Sequence, residues 1–285
     1  MKKLATVIGS MTIFGMLEVF REQKCFRVRK YKIDVPDRWK PDRPVHMVFL
    51  SDLHGKEYGE ENEKLVRAVR QEAPDLIFCG GDMLVRGRED TAAKAVRFIR
   101  KLSAIAPVFC ANGNHEQKMR ENPEFYDNLY QRYRAALDSD VCFLENDSAD
   151  ISVNGMDMTV TGLEIPVGCY GHLKKRPLQM QEIQSRIGYA EKDRYQILLA
   201  HNPVYMEQYQ EWGAKLTLAG HLHGGIVRIP GIGGLITPQI QLFPKYSGDL
   251  YYDGEYYGIV SRGLGTHTVN IRLFNMAELV SVSLE

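Results

Sequence analysis

Short apolar runs alternate with stretches of helical periodicity from residue 45 onward. The runs at 45–50, 75–81 and 106–114 have the length and composition of buried strands. Between them, residues 61–71 and 91–102 repeat apolar side chains every three or four positions, as amphipathic helices do. An alternation of strands and helices is typical of an α/β domain with a parallel sheet. The pattern therefore predicts a βαβαβ unit in the first half of the chain.

The second half of the chain is predicted to be richer in strands. Short strands are expected between residues 141 and 165, where Asn154 and Gly155 form a favoured hairpin turn. Residues 166–177 show little periodicity and are expected to form a loop, which is a candidate lid. The other expected elements are helices at 123–137, 178–187 and 204–212, strands at 195–200 and 216–220, and a Gly-rich and Tyr-rich β segment to the end.

The first 32 residues differ from the rest of the chain. An apolar run from Leu4 to Phe20, broken by Glu18, follows two lysines and precedes a basic flank. The run is shorter than the roughly 20 residues of a spanning helix, and no small-residue cleavage site follows it. We expect residues 1–32 to be an apolar anchor or signal-like segment, and residues 33–285 to be the functional domain.

The basic flank bears on the side of the membrane and on lipid binding. Six cations follow the apolar run, which favours the cytoplasmic face and could also bind anionic headgroups. The alternative is a first core helix followed by a solvated basic strand. The six cations are Arg21, Lys24, Arg27, Arg29, Lys30 and Lys32.

Composition narrows the choice of partners. The 285 residues contain 36 Lys and Arg against 36 Asp and Glu, so the net charge is zero and no nucleic-acid partner is expected. Five scattered cysteines, without a C-x-x-C spacing, imply no disulfide framework. Cys79 and Cys110 lie in apolar runs and are expected to be buried strand residues.

Polar clusters follow directly after five of the predicted strands. Because the carboxyl ends of strands in open α/β sheets meet at one edge, these clusters are expected to converge there. In Asp52-x-His54 and His221-x-His223, a spacing of two in an extended chain would direct both side chains to the same side. The five clusters are at 52–54, 81–82, 113–116, 201–203 and 220–223.

Carboxylate, imidazole and amide groups in these clusters form a set of metal ligands without thiolates. Such a set suits manganese, iron or zinc, and seven ligands are too many for one tetrahedral ion. Two divalent ions fit better, with Asp82 as the bridging carboxylate. Each cluster alone is also typical of an ordinary cap or turn, but all five together favour a metal centre. The seven candidates are Asp52, His54, Asp82, Asn114, His201, His221 and His223.

The order D-x-H, GD, GNHE, HNP and GHxH resembles that of the calcineurin-like metallophosphoesterases over residues 45–285. The segments GHLHGGIVRIPGIGGLITP, FPKYSGDLY and SRGLGTHTVNIRLFN resemble a bacterial, membrane-associated branch of this family. That branch includes phosphodiesterases, phosphohydrolases and a UDP-diacylglucosamine pyrophosphatase, and some of its N-terminal segments lead outward. The resemblance implies an α/β fold, a four-layer sandwich of two mixed β-sheets flanked by helices, and leaves an extracytoplasmic location open.

The resemblance also implies roles for individual residues. It assigns Asp52, His54, Asp82 and His223 to one metal, and Asp82, Asn114, His201 and His221 to the other. His115 matches the histidine of the family that contacts the phosphate and protonates the leaving group.

The expected activity is metal-dependent hydrolysis of a phosphodiester or pyrophosphate bond. A metal-bridging hydroxide would attack, and His115 would act as the general acid. A lipid-linked or envelope-related substrate fits the N-terminal segment. The alternatives are a non-catalytic, metal-stabilised binding module and, among enzymes, a nuclease or cyclic-nucleotide phosphodiesterase.

Three further residues have open roles. Glu116 either orients a histidine or is a carboxylate in the first turn of a helix. His267 could line the cleft or lie in a turn, and His172, beside Lys174 and Lys175, could meet a phosphate or lie in a solvated loop.

Overall fold

Two six-stranded sheets form the centre of the computed structural model, which describes residues 2–171, 176–229, 231–237, 242–266 and 269–285. The α-helices in these ranges are α1 (Lys2–Lys24), α2 (Glu63–Gln71), α3 (Glu89–Ser103), α4 (Asn114–Glu121), α5 (Leu129–Ala135), α6 (Met180–Ile187) and α7 (Met206–Trp212). The strands are β1 (Phe26–Ile33), β2 (Val45–Leu50), β3 (Leu76–Cys79), β4 (Val108–Cys110), β5 (Cys142–Phe143), β6 (Asp147–Val153), β7 (Met156–Leu163), β8 (Tyr195–Ala200), β9 (Leu216–Ala219), β10 (Val227–Ile229), β11 (Gly233–Ile236), β12 (Asp249–Asp253), β13 (Tyr256–Val260) and β14 (Ala277–Leu284).

The first sheet has the strand order β1-β14-β2-β3-β4-β5. Strands β2 to β5 are parallel, and α2 and α3 make the crossovers between the first three of them. The expected βαβαβ unit is therefore present. Cys79 and Cys110 face each other in register on β3 and β4 and are buried, as expected.

The second sheet has the order β12-β13-β9-β8-β7-β6. Its four central strands are parallel and its two outer strands are antiparallel to their neighbours. Asn154 and Gly155 join β6 to β7 with φ angles of 53° and 77°, which is the backbone that a tight hairpin turn requires. The short β10 and β11 form a separate antiparallel pair.

Three apolar clusters separate four layers. The sheets pack face to face through residues such as Phe49 and Phe78 of the first sheet and Ile197 and Leu218 of the second. Helices α2, α3 and α5 cover the outer face of the first sheet, and α6 and α7 cover that of the second. The structure is thus the four-layer sandwich of two mixed sheets that the sequence resemblance implies.

Two helix predictions need correction. The helix expected at 123–137 is shorter and spans only Leu129–Ala135, because Asp127 and Asn128 adopt positive φ angles of 49° and 52° that end a right-handed helix. Helix α4 was expected only as one of the two open roles of Glu116, since the sequence pattern treated the residues after β4 as a loop. Its first residue, Asn114, is one of the candidate ligands.

The N-terminal segment forms a helix and a strand. Strand β1 pairs in parallel with β14, so the domain division drawn at residues 32 and 33 falls within a strand of the first sheet. The basic side chains of β1 form ion pairs, such as Arg27 with Glu278 and Lys30 with Glu72. Within the described ranges, no helix is long and apolar enough to cross a membrane.

Candidate metal centre

The candidate ligands lie where strands of both sheets end. Asp52 and His54 follow β2, Asp82 follows β3, and Asn114 begins the helix after β4. The second sheet contributes His201 after β8, and His221 and His223 after β9. All seven residues are buried, none more than 9% exposed. The fold therefore brings together every ligand candidate that the sequence singled out.

Five of the seven candidates have a left-handed backbone, which is uncommon for residues other than glycine. Their φ angles range from 49° to 68°. The expectation that each pair, Asp52 with His54 and His221 with His223, converges because the chain is extended is therefore wrong. The Asp52 and His54 side chains meet because the chain turns tightly after the strand, whereas those of His221 and His223 join different groups of ligand atoms. Such local strain is often concentrated at functional sites. The five residues are Asp52, His54, Asp82, His221 and His223.

One group of ligand atoms comes from Asp52, His54 and His223, all within 4.8 Å of one another. Oδ1 of Asp52 lies 3.4 Å from Nε2 of His223 and 4.0 Å from Nε2 of His54. The two imidazole nitrogens are 3.3 Å apart. Three ligand atoms at these separations could surround a single cation.

A second group contains Asp82, His201 and His221, again within 4.8 Å. Oδ2 of Asp82 is 3.2 Å from Nε2 of His201 and 3.8 Å from Nε2 of His54, which belongs to the first group. The Asp82 carboxylate therefore lies between the two groups. That is the position a carboxylate shared by two ions would need.

Asn114 tests whether a cation fits the candidate centre. Its amide oxygen is buried and accepts no hydrogen bond from the residues that the structure describes. A buried polar atom without a partner is costly and calls for an explanation such as an ion. An amide oxygen beside carboxylate and imidazole groups is also a donor set that divalent cations accept. The residues thus fit a metal centre.

Hydrogen bonds from the surrounding backbone orient the candidate ligands. Nδ1 of His201 contacts the carbonyl oxygen of Gly80 at 2.7 Å, which leaves Nε2 directed at the carboxylates. Nδ1 of His223 contacts the carbonyl oxygen of Gly265 at 3.1 Å. Such contacts fix the ring orientation of metal-binding histidines.

Ser51 completes the support of Asp52. Its hydroxyl donates to Oδ2 of Asp52 at 2.7 Å, and the backbone N–H of His221 donates to Oδ1 of the same carboxylate at 3.0 Å. Ser51 lies directly before the cluster at 52–54, and the sequence pattern gave it no role. Its position directly before a candidate ligand was the available signal.

Asn275 and Arg272 are two further supporting residues that the sequence analysis missed. The Asn275 amide donates to the carbonyl oxygen of His223 at 2.7 Å, and Arg272 donates to the carbonyl oxygen of Gly265 at 2.7 Å. Both lie in the irregular chain after β13, within the segment SRGLGTHTVNIRLFN. The resemblance of that segment to the family was the available signal, but it gave neither residue a role.

Glu116 holds the loop of Asp82 in place. Its buried carboxylate accepts hydrogen bonds from the backbone N–H groups of Asp82 and Met83, both at 2.9 Å, and of Gly113 at 3.1 Å. Of the two open roles, the structure favours the carboxylate in the first turn of a helix, here α4. Burial and the nearby charge of Asp82 raise the pKa of Glu116 to about 7.

His115 lies beside both groups. Its backbone N–H donates to Oδ1 of Asp82 at 2.9 Å, and its ring is 5.0 Å from that of His54. Its Nδ1 accepts a hydrogen bond from the backbone N–H of Arg86 at 3.0 Å. A ring nitrogen of His115 also lies within 4.8 Å of ligand atoms of His54 and Asp82.

The carboxylates and imidazoles of the centre shift one another's pKa values. Burial opposes the ionisation of Asp82, but the charges of His201 and His115 outweigh it and hold the pKa of Asp82 well below its ordinary value. Burial lowers the pKa of His201, whereas Asp82 and Asp52 raise it more, to about 10. Burial and the charge of His201 lower the pKa of His221. The buried carboxylates of Asp82 and Asp52 thus favour a positive charge next to them.

Some predicted features lie outside the described residues. These are His172, Lys174 and Lys175 of the candidate lid, together with His267. The first part of that loop forms a short 3-10 helix, Val167–Tyr170, whose Tyr170 ring lies 5.1 Å from that of His221. Arg176, at its other end, pairs with Glu182 at 2.6 Å.

A family model for the calcineurin-like phosphoesterases matches residues 45–225, which include all seven candidate ligands and His115. Metallophosphoesterase YkoQ of Bacillus subtilis is 23% identical over 91% of this chain and 90% of its own. Phosphodiesterase YaeI of Escherichia coli is 24% identical over 78% of this chain and 76% of its own. UDP-2,3-diacylglucosamine pyrophosphatase LpxG of Chlamydia trachomatis is 20% identical over 92% of this chain and 90% of its own.

Proposed function

Because this chain belongs to the calcineurin-like phosphoesterase family, and is thus a hydrolase of phosphoester bonds, we propose that it cleaves a phosphodiester or pyrophosphate bond with two divalent ions. Manganese, iron or zinc would suit the donor set. Asp52, His54, Asp82 and His223 would hold one ion. Asp82, Asn114, His201 and His221 would hold the other.

The position of Asp82 carries the proposal. Its Oδ2 lies 3.8 Å from Nε2 of His54 and 3.2 Å from Nε2 of His201, and these histidines belong to different groups. A centre with a single ion would not require one carboxylate between two sets of imidazoles. Two ions held in this way would lower the pKa of a shared water and neutralise charge on the phosphoryl oxygens.

The protein itself would supply positioning and a proton donor. The backbone contacts of Gly80 and Gly265 hold His201 and His223 in fixed orientations, so little reorganisation is needed when substrate binds. His115 accepts the Arg86 N–H at Nδ1 and therefore holds a proton on Nε2. That proton is available to the departing oxygen, a role worth typically about 10²–10⁴-fold in rate.

We further propose a lipid-linked or envelope-related substrate and a membrane-associated location. Support comes from the likeness to LpxG, whose name refers to a diacylated sugar nucleotide, and from the apolar residues of α1. The cations after the apolar run favour the cytoplasmic face. The absence of a nucleic-acid partner remains a prediction that rests on the balanced charge.

The test compares the wild type with His115→Ala, Asp82→Ala and the matched control His46→Ala, whose imidazole is exposed on β2. Each protein is stripped with a chelator and reloaded with manganese, zinc or iron. Metal content and hydrolysis of a chromogenic phosphodiester and monoester, and of a sugar-nucleotide pyrophosphate, are then measured on the same samples.

We expect two ions per chain and metal-dependent hydrolysis in the wild type and in His46→Ala. The Asp82→Ala protein should lose both ions, because it removes the carboxylate that the two groups share. Two ions at full occupancy in Asp82→Ala would contradict the bridging assignment. If the wild type held two ions but hydrolysed none of the three substrates, the binding-module alternative would be favoured.

A further inference from the structure

The second half of helix α1 has polar contacts with the protein and exposed apolar residues. The buried Glu22 carboxylate accepts from the backbone N–H of Asn275 at 2.9 Å, and the Gln23 amide donates to the carbonyl oxygen of Asn270 at 2.6 Å. On the side opposite Glu22, four apolar residues at helical spacing are each between 57% and 67% exposed. They are Ile13, Met16, Leu17 and Phe20. We call them the apolar stripe.

This arrangement is the reverse of an ordinary surface helix, which turns its apolar side to the core. Exposed apolar surface of this kind marks a contact with another molecule or with a membrane. The last turn of the helix has two basic residues, of which Arg21 pairs with Glu18 at 2.6 Å. Lys24 lies beside the stripe, with its ammonium 4.0 Å from the centre of the Phe20 ring, and favours a negatively charged contact there.

A basic cavity of about 550 Å³ lies beside α1. Phe274 lines the cavity, and its ring is 6.4 Å from that of Phe14 on the helix. Four arginines also line it: Arg27, Arg29, Arg228 and Arg262. Arg228 and Arg262 are buried, whereas the side chains of Arg27 and Arg29 are 34% and 41% exposed. We call this the arginine cavity.

The described residues at the cavity supply too little negative charge for four guanidinium groups. Asp249 pairs with Arg228 at 2.6 Å and Arg262 at 2.5 Å, and more distantly with Arg29 at 3.7 Å. The carboxylate of Glu278 pairs with Arg27 at 3.2 Å and is also 3.6 Å from Arg262. Two carboxylates therefore serve four guanidinium groups.

The guanidinium groups of Arg228 and Arg262 repel each other inside the cavity. Burial lowers the pKa of Arg228, and the neighbouring guanidinium of Arg262 lowers it further. An anion in the cavity would relieve this repulsion, and guanidinium groups match the oxygens of a phosphate in geometry. Leu250 and Ile232 add apolar surface to the lining. A ligand with both a phosphate and apolar parts therefore matches the cavity.

We propose that the apolar stripe inserts into the interface of an anionic lipid bilayer while the arginine cavity binds the phosphate of a lipid headgroup. A membrane accounts for both observations, because it offers apolar chains and anionic phosphates side by side. A second copy of this chain would match the apolar stripe but would not satisfy the arginines. This proposal does not depend on hydrolysis at the metal centre.

Binding of the apolar stripe and the arginine cavity to a bilayer would place the metal centre close to the membrane surface. Arg228 donates to the carbonyl oxygen of Gly224, the residue after His223, at 3.1 Å. Arg262 directly precedes Gly263, where an added Cβ would lie 2.8 Å from Cβ of Asp52 and 3.2 Å from Nδ1 of His223. The cavity and the candidate ligands therefore share the segments at 220–225 and 261–265. A lipid-linked substrate in the same bilayer would be within reach of the centre.

The test measures co-sedimentation of the full chain with vesicles after treatment with a chelator, so that no ion can bind phosphate. Vesicles of phosphatidylcholine are compared with vesicles that also contain phosphatidylglycerol. The variants are Arg29→Gln, Arg29→Lys and Leu17→Glu. The matched controls are Arg100→Gln, an exposed arginine on α3 that pairs with Asp140, and Phe125→Glu, whose side chain is 81% exposed. Thermal unfolding confirms that each variant is folded.

We expect tight binding only to the vesicles with phosphatidylglycerol. Arg29→Gln should weaken binding about fivefold, Arg29→Lys should keep most of it, and Leu17→Glu should weaken it about tenfold. Both controls should bind as the wild type does. Equal binding to both vesicle types, or wild-type binding by Arg29→Gln and Leu17→Glu, would overturn the proposal.

A calorimetric titration of the chelated protein with inorganic phosphate separates a lipid site from a site for a soluble phosphate. Phosphate binding that Arg29→Gln abolishes, in a protein that does not sediment with vesicles, would overturn the lipid assignment. Failure of either binding experiment would leave the phosphoesterase proposal intact, since that proposal is tested with soluble esters.

Discussion

The backbone N–H of Arg86 donates a hydrogen bond to Nδ1 of His115 over 3.0 Å. An imidazole that accepts at Nδ1 carries its proton on Nε2. The main chain after the Asp82 loop thus selects the tautomer of the proposed proton donor. A backbone N–H cannot be removed by a change of side chain, so the tautomer is fixed by the fold.

Replacing His115 is therefore expected to affect rate rather than metal binding. His115→Ala should lower kcat by about 10²–10⁴-fold because the leaving oxygen loses its proton donor. Steady-state kinetics and metal analysis on the same sample check this, with His46→Ala as the control. Loss of one ion in His115→Ala would instead make His115 a ligand, as its position near His54 and Asp82 allows.

A second prediction concerns Glu116, which accepts backbone N–H groups from the Asp82 loop. In Glu116→Gln, an amide NH₂ would replace one accepting oxygen and face those donors. We expect the free energy of unfolding to fall by about 1–3 kcal/mol, because buried N–H groups would lose their acceptor. Chemical denaturation measures the loss. Glu121→Gln, an exposed change at the end of the same helix, should be nearly neutral.

The close approach of Gly113 to Asp82 leads to a third prediction. A Cβ atom at Gly113 would lie 2.2 Å from Oδ1 of Asp82, a distance that forces the carboxylate to move. Gly113→Ala should therefore lower metal content and melting temperature together. The control is Gly168→Ala, where the nearest atom would be 3.4 Å away. Unchanged metal content in Gly113→Ala would show that Asp82 can shift without losing an ion.

The Asp249 carboxylate gives a pH-dependent prediction. Burial raises its pKa, but the charge and hydrogen bond of Arg262 outweigh burial and hold the pKa below its ordinary value. Its unfolded-state pKa is about 3.9. Since the folded pKa is the lower one, its stabilising effect is present above pH 3.9 or so and is lost as the pH falls through the folded pKa.

Unfolding free energies of the wild type and Asp249→Asn, measured from neutral pH into acid, check this. The difference between the two proteins should be largest near pH 7 and should shrink below about pH 4. Asp253→Asn, an exposed change at the end of the same strand, serves as the control. A difference that stays constant into acid would mean that the Asp249 charge adds nothing to stability.

The sequence predicted β2, β3, β4, β8 and β9 well because each is an apolar run with polar residues directly after it, whereas β10 to β14 were expected only as one unresolved β segment. It indicated α4 only as one of two open roles of Glu116, since Asn114–Glu121 has only one apolar residue, Met119, and its start is held by Glu116 instead. It gave β1 no partner because that strand pairs with β14, some 250 residues further along the chain. Contacts of that separation leave no local pattern.

The candidate site was also predicted only in part, where short local patterns were enough. The types and order of the candidate ligands were evident from five short clusters, whereas the hydrogen bonds that orient them were not. Asn275, for example, supports the carbonyl oxygen of His223 from a segment without periodicity. The arrangement of two ligand groups around Asp82 also required the structure, because it depends on how two sheets meet.

The left-handed backbone at Asp52, His54, Asp82, His221 and His223 sets the proposed metal binding against folding stability. Glycine adopts positive φ at little cost, whereas other residues pay for it. In a laboratory selection for heat resistance alone, without metal or substrate, glycine should therefore accumulate at His54, His221 and His223. Asp52 and Asp82 should be kept, because their buried carboxylates accept hydrogen bonds from the backbone N–H groups of His221 and His115. The three imidazoles would be lost while the sandwich improved, so only selection that includes turnover can maintain them.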